Sequence, residues 1–150
     1  ETGITEALGN GVIMGYPVLD LHVDLVGGSA HDVDSNEQAF KIASILAMRD
    51  AFQNAESILL EPVMKVSVDL PDEYQGDIIG DLNRRRGRIA EVGSRNGLSE
   101  ISAEVPLAEM FGYATDMRSL SKGRASFSME PLQFEEVPAP IVTRMTEQYV

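Results

Sequence analysis

Arginines near the middle of the chain are the residues whose types and spacing most clearly suggest a binding function. Arg84, Arg85 and Arg86 are consecutive and Arg88 follows them, so four of the 12 basic residues lie within five positions. Guanidinium groups form paired hydrogen bonds with phosphate, and clusters of them bind the RNA backbone. The same residues could equally end a solvated helix, because cations interact favourably with the negative end of the helix dipole.

The two histidines offer little for catalysis. His22 falls in the middle of a predicted strand, where a solvated or cross-strand role is expected. His31 lies in a loop beside Asp32, and this pair with Asp34 is too sparse to predict a metal site. Ser35 is better used as a helix cap than as a nucleophile oriented on His31. We therefore expect His31 and Asp32 to contact a partner from a loop tip.

Several catalytic classes are excluded by what the sequence lacks. It has no cysteine, which excludes thiolate catalysis and Cys-ligated metal sites. It has no Gly-Lys dipeptide, so a P-loop cannot be written, and no Gly-rich dinucleotide fingerprint opens a βα unit. No carboxylate pair lies in an apolar setting. The chain itself is therefore expected to have no catalytic, cofactor or metal site.

Charge is distributed unevenly along the chain. Its 150 residues include 12 Lys+Arg and 24 Asp+Glu, a formal net charge of -12, whereas a generic nucleic-acid binder is basic. Residues 1–83 hold three basic and 15 acidic groups, and residues 84–150 hold nine of each. The second part of the chain can therefore still bind RNA. No apolar run approaches the roughly 18 residues needed to span a bilayer.

The second part follows a repeating plan of strands and helices. Apolar and polar residues alternate over 64–70, which is typical of a half-buried strand, and Tyr74 and Ile78 begin a helical stripe. Gly87 is expected to close that helix. Similar patterns predict strands at 89–92, 101–105 and 125–129 and a second helix over 107–117. The order β-α-β-β-α-β predicts a ferredoxin-like sandwich with two helices on one face of an antiparallel sheet.

The first 60 residues predict a different, partial α+β unit. The expected elements are a helix over 4–8, a strand over 19–25, a helix from a cap at Ser35 or Asp34 to about Phe52, and a further strand over 57–60. These elements do not complete a sheet, and an unpaired strand edge invites pairing. The segment therefore leans on the rest of the chain, pairs with another copy or lacks an N-terminal portion, and we favour the third.

Three further cations follow the second predicted helix. Arg118, Lys122 and Arg124 fall at the end of that helix and the start of the fourth strand. In a ferredoxin-like sandwich they could join the arginine run near the loops. Such a patch would bind RNA phosphates.

Long continuous segments resemble the C-terminal region of bacterial-type translation elongation factor G. They are residues 61–66, 76–87 and 105–119, with shorter matches at 15–18, 31–35 and 39–43. The resemblance implies that residues 61–135 form the ferredoxin-like fifth domain. It implies that residues 1–60 are the second half of the fourth domain, whose fold is ribosomal-protein-like. A C-terminal helix within 136–150 would pack back on that fourth domain.

The resemblance also implies a function. This factor uses GTP to move tRNA and mRNA through the ribosome in the cytoplasm, and its GTPase domain, which binds GTP and Mg²⁺, would lie upstream of this chain. The loop over 27–35 would approach the A site of the small ribosomal subunit. The fifth domain would contact large-subunit ribosomal RNA near the stalk base. No membrane or DNA partner is expected.

Other interpretations remain open. A recycling or ribosome-protection relative of the factor would share this domain plan, although the matches over 81–87 and 107–119 favour the elongation factor. A standalone ferredoxin-like regulatory module could dimerise through its sheet edges. A small ferredoxin-like phosphatase would need an anion cradle after the first strand, where this chain has Pro71, Asp72 and Glu73.

Overall fold

The chain forms two compact units. A computed structural model describes residues 1–148. One unit contains residues 1–59 and the segment from Pro138 onward, and the other contains Leu60–Val137. The predicted C-terminal segment, 136–150, extends into Tyr149 and Val150, which lie outside the described residues. In the described part, no helix is long and apolar enough to cross a membrane.

The second unit is a four-stranded antiparallel sheet with two helices. The elements in chain order are β1 (Leu60–Pro71), α3 (Gln75–Arg84), β2 (Arg88–Arg95), β3 (Leu98–Pro106), α4 (Tyr113–Leu120) and β4 (Ser126–Glu136). The order of the strands in the sheet is β2-β3-β1-β4. This arrangement confirms the predicted α+β, ferredoxin-like βαββαβ class.

The core of the second unit lies between the helices and one face of the sheet. Val66 and Val68 of β1 and Ile101 of β3 are fully buried, as are Ile78 and Leu82 of α3. The alternating strand residues and the helical stripe therefore meet each other, as their periodicities require. Polar residues of β1 and β3 occupy the opposite face. Burial of apolar surface thus holds the helices in place for the charged groups at their ends.

The end of α3 differs from the expected glycine cap. The left-handed residue is Arg86, with φ of 59°, and not Gly87. Gly87 is required for a different reason, because a Cβ there would lie 2.6 Å from the carbonyl oxygen of Leu82. The Gly87 N–H donates to that same oxygen at 2.8 Å, which turns the chain sharply into β2.

In the described residues, the regular secondary structure of the first unit consists of helices. It contains α1 (Thr2–Leu8), α2 (Glu37–Asn54) and α5 (Ala139–Glu147). Ala7 of α1 packs with Met48 and Phe52 of α2. The cap of α2 is Asn36, whose side-chain oxygen accepts from the Ala39 N–H at 2.8 Å, and not Ser35 or Asp34 as expected. Ser35 instead accepts a hydrogen bond from the His31 N–H.

The strand expected over 19–25 is absent. The residues from 21 to 30 form no helix, strand or turn, and Leu21 and Leu25 are 48% and 83% exposed. A strand needs a neighbouring strand to satisfy its backbone groups, and within residues 1–148 none pairs with this segment. The expected strand over 57–60 is also wrong, since only Leu60 belongs to a strand.

Candidate nucleic-acid interface

The loop before α2 presents His31 and Asp32 to solvent. Both residues are exposed. The His31 N–H donates to the Ser35 hydroxyl at 2.7 Å, and the Ser35 N–H donates to the His31 carbonyl at 3.1 Å. The Ser35 hydroxyl therefore accepts one of the two hydrogen bonds that close the turn. A backbone turn holds the two exposed side chains next to the start of α2.

His22 forms a second exposed histidine–carboxylate pair. Its Nε2 lies 3.1 Å from Oδ1 of Asp24, two residues along an extended segment. Both side chains are largely exposed. This pair contains the same two residue types as His31 and Asp32, but it lies outside the 31–35 turn.

Arg85 is buried in a polar network that connects the helices of the second unit. Its Nε donates to Asp81 at 2.8 Å, and one terminal nitrogen donates to Asp116. The other donates to the backbone carbonyls of Glu109 and Phe111, at 2.6 and 3.3 Å. Its side chain is only 9% exposed. Arg85 therefore joins α3 to the loop before α4 and to the first turn of α4.

Asp81 is the buried centre of this network. Its side chain is 4% exposed and accepts hydrogen bonds from both Arg84 and Arg85. Burial alone would raise the pKa of Asp81, but the hydrogen bonds from Arg85 and Arg84 outweigh it and hold that pKa below its ordinary value. Arg84 remains 69% exposed on the outside of the same pair. It is the arginine of the network that solvent and ligands can reach.

Tyr113 packs against the apolar side of the network. Its ring centre lies 5.1 Å from the guanidinium carbon of Arg85 and 4.9 Å from the ring centre of Phe127, in an edge-to-face pair. Burial, with repulsion from Asp81, raises the pKa of Tyr113 to about 12. The phenol is therefore neutral at physiological pH and acts in packing.

Arg86 is committed to carboxylates on two other elements. Its guanidinium group forms a paired hydrogen bond with Glu61, at 2.7 and 2.9 Å, and donates to Glu109 at 3.0 Å. The hydrogen bonds to Glu61, which outweigh partial burial, raise the pKa of Arg86 further. Arg86 thus fastens the end of α3 to the start of β1 and to the loop before α4.

Arg88 lies on the sheet between two glutamates. It donates to Glu104 at 2.6 Å and to Glu135 at 2.7 Å. The hydrogen bonds from Arg88, with one from Gln133, hold the pKa of Glu135 below its ordinary range. Arg88 is 60% exposed, so it can be reached from solvent although its charge is already balanced.

The cations after α4 have fewer partners. Arg118, Lys122 and Arg124 are all exposed. Arg124 pairs with the exposed Glu73 at 2.9 Å. Among residues 1–148, no carboxylate lies within 4.0 Å of Arg118 or Lys122. The structure therefore separates the predicted cations into an ion-paired arginine run and a more open set after α4.

Arg95 is an exposed cation that sequence reasoning missed. It lines an open cavity of about 840 Å³ together with Arg124, Asp69 and Glu100. Because carboxylates line this cavity together with the arginines, its charge does not favour phosphate binding. The Asn96-Gly97 pair, whose φ values are 54° and 80°, is a typical hairpin turn signal. This turn signal in the sequence places Arg95 at the end of a hairpin, where an exposed cation is a candidate contact residue.

Within the part of the chain that the structure describes, no group of three or more His, Asp or Glu residues could hold a metal ion. The fold and the exposed side chains define a two-unit α+β protein whose second unit is a ferredoxin-like module with accessible cations.

Comparison with known proteins gives the family. The model described as "Elongation factor G, domain IV" matches residues 1–56, and the model described as "Elongation factor G C-terminus" matches residues 58–145. The chain therefore belongs to the elongation factor G family, which confirms the resemblance drawn from its sequence.

A solved structure agrees in fold. A crystal structure of a protein from Thermus thermophilus is 37% identical, with a TM-score of 0.85. The match covers 98% of this chain and 22% of that chain. The chain thus spans about a fifth of the length of that protein.

Proposed function

We propose that the chain is the ribosome-binding region of a factor that drives GTP-dependent movement of tRNA and mRNA. Family matches over residues 1–56 and 58–145 carry this proposal. GTP hydrolysis, with bound GTP and Mg²⁺, is assigned to a separate GTPase domain of the whole protein. The expected place of action is the cytoplasm, where ribosomes translate.

The loop with His31 and Asp32 is proposed to meet the ribosomal A site, on the small subunit. Two observations support it: the side chains are exposed, and the 31–35 turn is already closed by hydrogen bonds. A pre-formed turn loses less conformational entropy on binding than a flexible one. His31 can donate or accept a hydrogen bond to RNA, depending on its tautomer.

The second unit is proposed to meet large-subunit ribosomal RNA near the stalk base. The cations that solvent reaches, among them Arg84, Arg118 and Lys122, support an RNA partner, since phosphate contacts supply most of the salt-dependent affinity. Arg85 and Arg86 are proposed to act indirectly, by holding the helix ends in place.

Ribosome pelleting with the full chain tests the loop assignment. The His31→Ala/Asp32→Ala double variant should weaken small-subunit binding about three- to tenfold, the effect of losing one or two hydrogen bonds. A matched control exists in His22→Ala/Asp24→Ala, which removes the same residue types from an exposed pair elsewhere. Equal effects of the two double variants would contradict the loop assignment.

A competition experiment tests the translocation role. Excess chain should slow movement of mRNA by an intact elongation factor G, because both would occupy the same ribosomal site. The readout is the position of the ribosome on its mRNA, and a control reaction without chain sets the baseline. Ribosome binding without any slowing would favour a recycling or protection relative.

One observation favours a second candidate, a dimerisation module. The edge strand β4 exposes Leu132 and Phe134, at 43% and 58%, and an exposed apolar edge invites pairing with another strand. Light scattering distinguishes the two functions. A stoichiometric dimer that does not bind ribosomes would support the dimerisation module.

A further inference from the structure

Two carboxylates lie opposite each other on the central strands of the sheet. Asp69 of β1 is paired in register with Glu100 of β3, and both residues are exposed. Among residues 1–148, no cationic group lies within 4.0 Å of either carboxylate. Like charges directly opposite each other on neighbouring strands destabilise a sheet, so this pair lowers the stability of the second unit.

The sheet contains a second pair of opposed carboxylates, and there the chain supplies the cations itself. Glu61 of β1 is paired in register with Glu135 of β4. Arg86 lies 2.7 Å from Glu61, and Arg88 lies 2.7 Å from Glu135. A guanidinium group beside each carboxylate offsets the repulsion at that end of the sheet. By the same chemistry, a guanidinium group from another molecule would offset the repulsion between the carboxylates of β1 and β3.

The pair formed by Asp69 and Glu100 lines an open cavity of about 840 Å³. This volume lies within the range of about 300–1,000 Å³ that is typical of ligand sites. The neighbours of the pair in register are Gly93 of β2 and Ser126 of β4, whose small size leaves space above the sheet. Leu98, which is 61% exposed, lines the same cavity. The cavity therefore presents two carboxylates beside an apolar side chain.

Two arginines of the chain also line the cavity, Arg95 and Arg124. Arg124 pairs with Glu73 at 2.9 Å, and among residues 1–148 no carboxylate lies within 4.0 Å of Arg95. Asp72 accepts hydrogen bonds from two serines of the cavity wall. Four carboxylates thus lie in or beside the cavity with two guanidinium groups, and this local excess of negative charge favours a cationic ligand.

We propose that this cavity binds an arginine side chain of another protein. The guanidinium group would lie between Asp69 and Glu100 and donate to both, and the aliphatic stem would pack against Leu98. A metal ion fits less well, because in the described residues no group of three or more His, Asp or Glu residues could hold one. This inference goes beyond the proposed function, since the ligand is a protein side chain and not RNA.

Binding of N-acetyl-arginine amide tests the site directly, because this probe carries one guanidinium group and no other charge. In amide NMR spectra of the full chain, the signals of Gly93, Ser94 and Ser126 should shift and saturate with a dissociation constant of about 1–10 mM. The uncharged analogue N-acetyl-citrulline amide should cause no such shifts. Equal shifts with the two probes, or no saturable shift with the arginine probe, would overturn the proposal.

The double variant Asp69→Asn/Glu100→Gln separates the site from the fold. Removing the opposed like charges should leave the urea midpoint of unfolding unchanged or raise it. Affinity for N-acetyl-arginine amide should nevertheless fall about tenfold, because the charge-assisted hydrogen bonds are lost. A marked loss of stability would show that the two carboxylates serve the fold, and the proposal would then be wrong.

Glu91→Gln/Glu136→Gln is the matched control. It removes the same amount of charge from the same unit, at exposed positions that do not line the cavity. Affinity for the arginine probe should stay within about twofold of that of the parent chain, because solvent and salt screen charges at a distance. If both double variants weaken binding equally, net charge alone attracts the probe and the site assignment fails.

Light scattering distinguishes another protein from a second copy of this chain as the source of the arginine. The parent chain should be monomeric. A dimer that dissociates in Asp69→Asn/Glu100→Gln would place an arginine of a second copy in the cavity and contradict the assignment to another protein. If the chain does not bind ribosomes but binds the arginine probe as expected, the proposed function fails while this site stands.

Discussion

At the scale of single residues, consecutive arginines have different structural roles. Arg84 is 69% exposed, whereas the side chain of Arg85 is 9% exposed and that of Arg86 24%. The helix turns by about 100° per residue, α3 ends at Arg84, and Arg86 adopts a left-handed backbone conformation, so the three side chains diverge. Of the three guanidinium groups, that of Arg84 is therefore accessible to a partner, whereas those of Arg85 and Arg86 form contacts within the unit.

Removing Arg85 should destabilise the second unit strongly. In Arg85→Met, Asp81 keeps its negative charge in a buried position and loses its main partner, which costs about 3–5 kcal/mol in free energy of unfolding. Urea unfolding followed by circular dichroism measures the change. Arg84→Gln, at the exposed end of the network, serves as the control and should cost much less. Similar losses for the two variants would contradict a central role for Arg85.

Acid should weaken the fold through Asp81. Its pKa is depressed in the folded chain relative to the ordinary 3.8, so its contribution to stability is fully present above that value. The contribution is lost as pH falls through the lower, folded pKa. Urea unfolding at pH 6 and at pH 3 should therefore show a loss of stability in acid. The Asp81→Asn variant should be less stable than the parent chain at pH 6 and should lose less stability between pH 6 and pH 3. If the variant loses as much stability in acid as the parent chain, Asp81 is not the source of that loss.

At the scale of elements, the same alternating pattern gives a strand in one unit and an unpaired segment in the other. Over 64–69 the chain lies between β3 and β4, with partners on both sides. Over 19–25 it has no strand beside it in the described residues. Backbone hydrogen bonds across a ladder, together with burial of one face, make the difference.

Hydrogen exchange should report this contrast. Amide protons over 21–30 lack ladder partners and should exchange within the earliest time points, whereas those over 64–70 should be protected to nearly the global free energy of unfolding. Mass spectrometry of the full chain measures both segments in one experiment. Protection over 21–30 in the isolated chain would show that the segment pairs with a strand, and light scattering would then show whether a second copy supplies it.

At the scale of the whole molecule, the two units have separate cores. The main buried cluster of the second unit is formed by residues between Met64 and Met117, with Phe127 packed against it. In the first unit the buried cluster is much smaller. Since most of the buried apolar surface lies in the ferredoxin-like unit, that unit should carry most of the stability.

The second unit should therefore fold alone. A chain of residues 60–137 is expected to unfold in one cooperative urea transition and to keep the salt-dependent binding to large ribosomal subunits. The comparison is the full chain under identical conditions. A non-cooperative transition would show that the first unit is needed for stability, and a folded chain without binding would place the RNA contact elsewhere.

The order of elements in the second unit could be predicted because its signals are local. Alternation over 64–70 and the helical spacing from Tyr74 to Leu82 depend on residues that are neighbours in sequence, and each follows from the geometry of one strand or one helix. The long segments that resemble elongation factor G are likewise a property of the sequence alone. These features made the ferredoxin-like class and the family accessible from the chain alone.

The roles of the charged residues depended on contacts between distant parts of the chain. Arg85 meets Asp116, and Arg86 meets Glu61 and Glu109, across separations of 31, 25 and 23 residues. No local pattern specifies such partners, since a run of arginines looks the same in sequence whether it is solvated or paired. Likewise, alternation over 19–25 could not reveal that no strand lies beside it. Sequence determined which elements can form, because their geometry is local; only tertiary structure decided which strands pair and which cations stay accessible, because pairing needs a partner brought close by the fold.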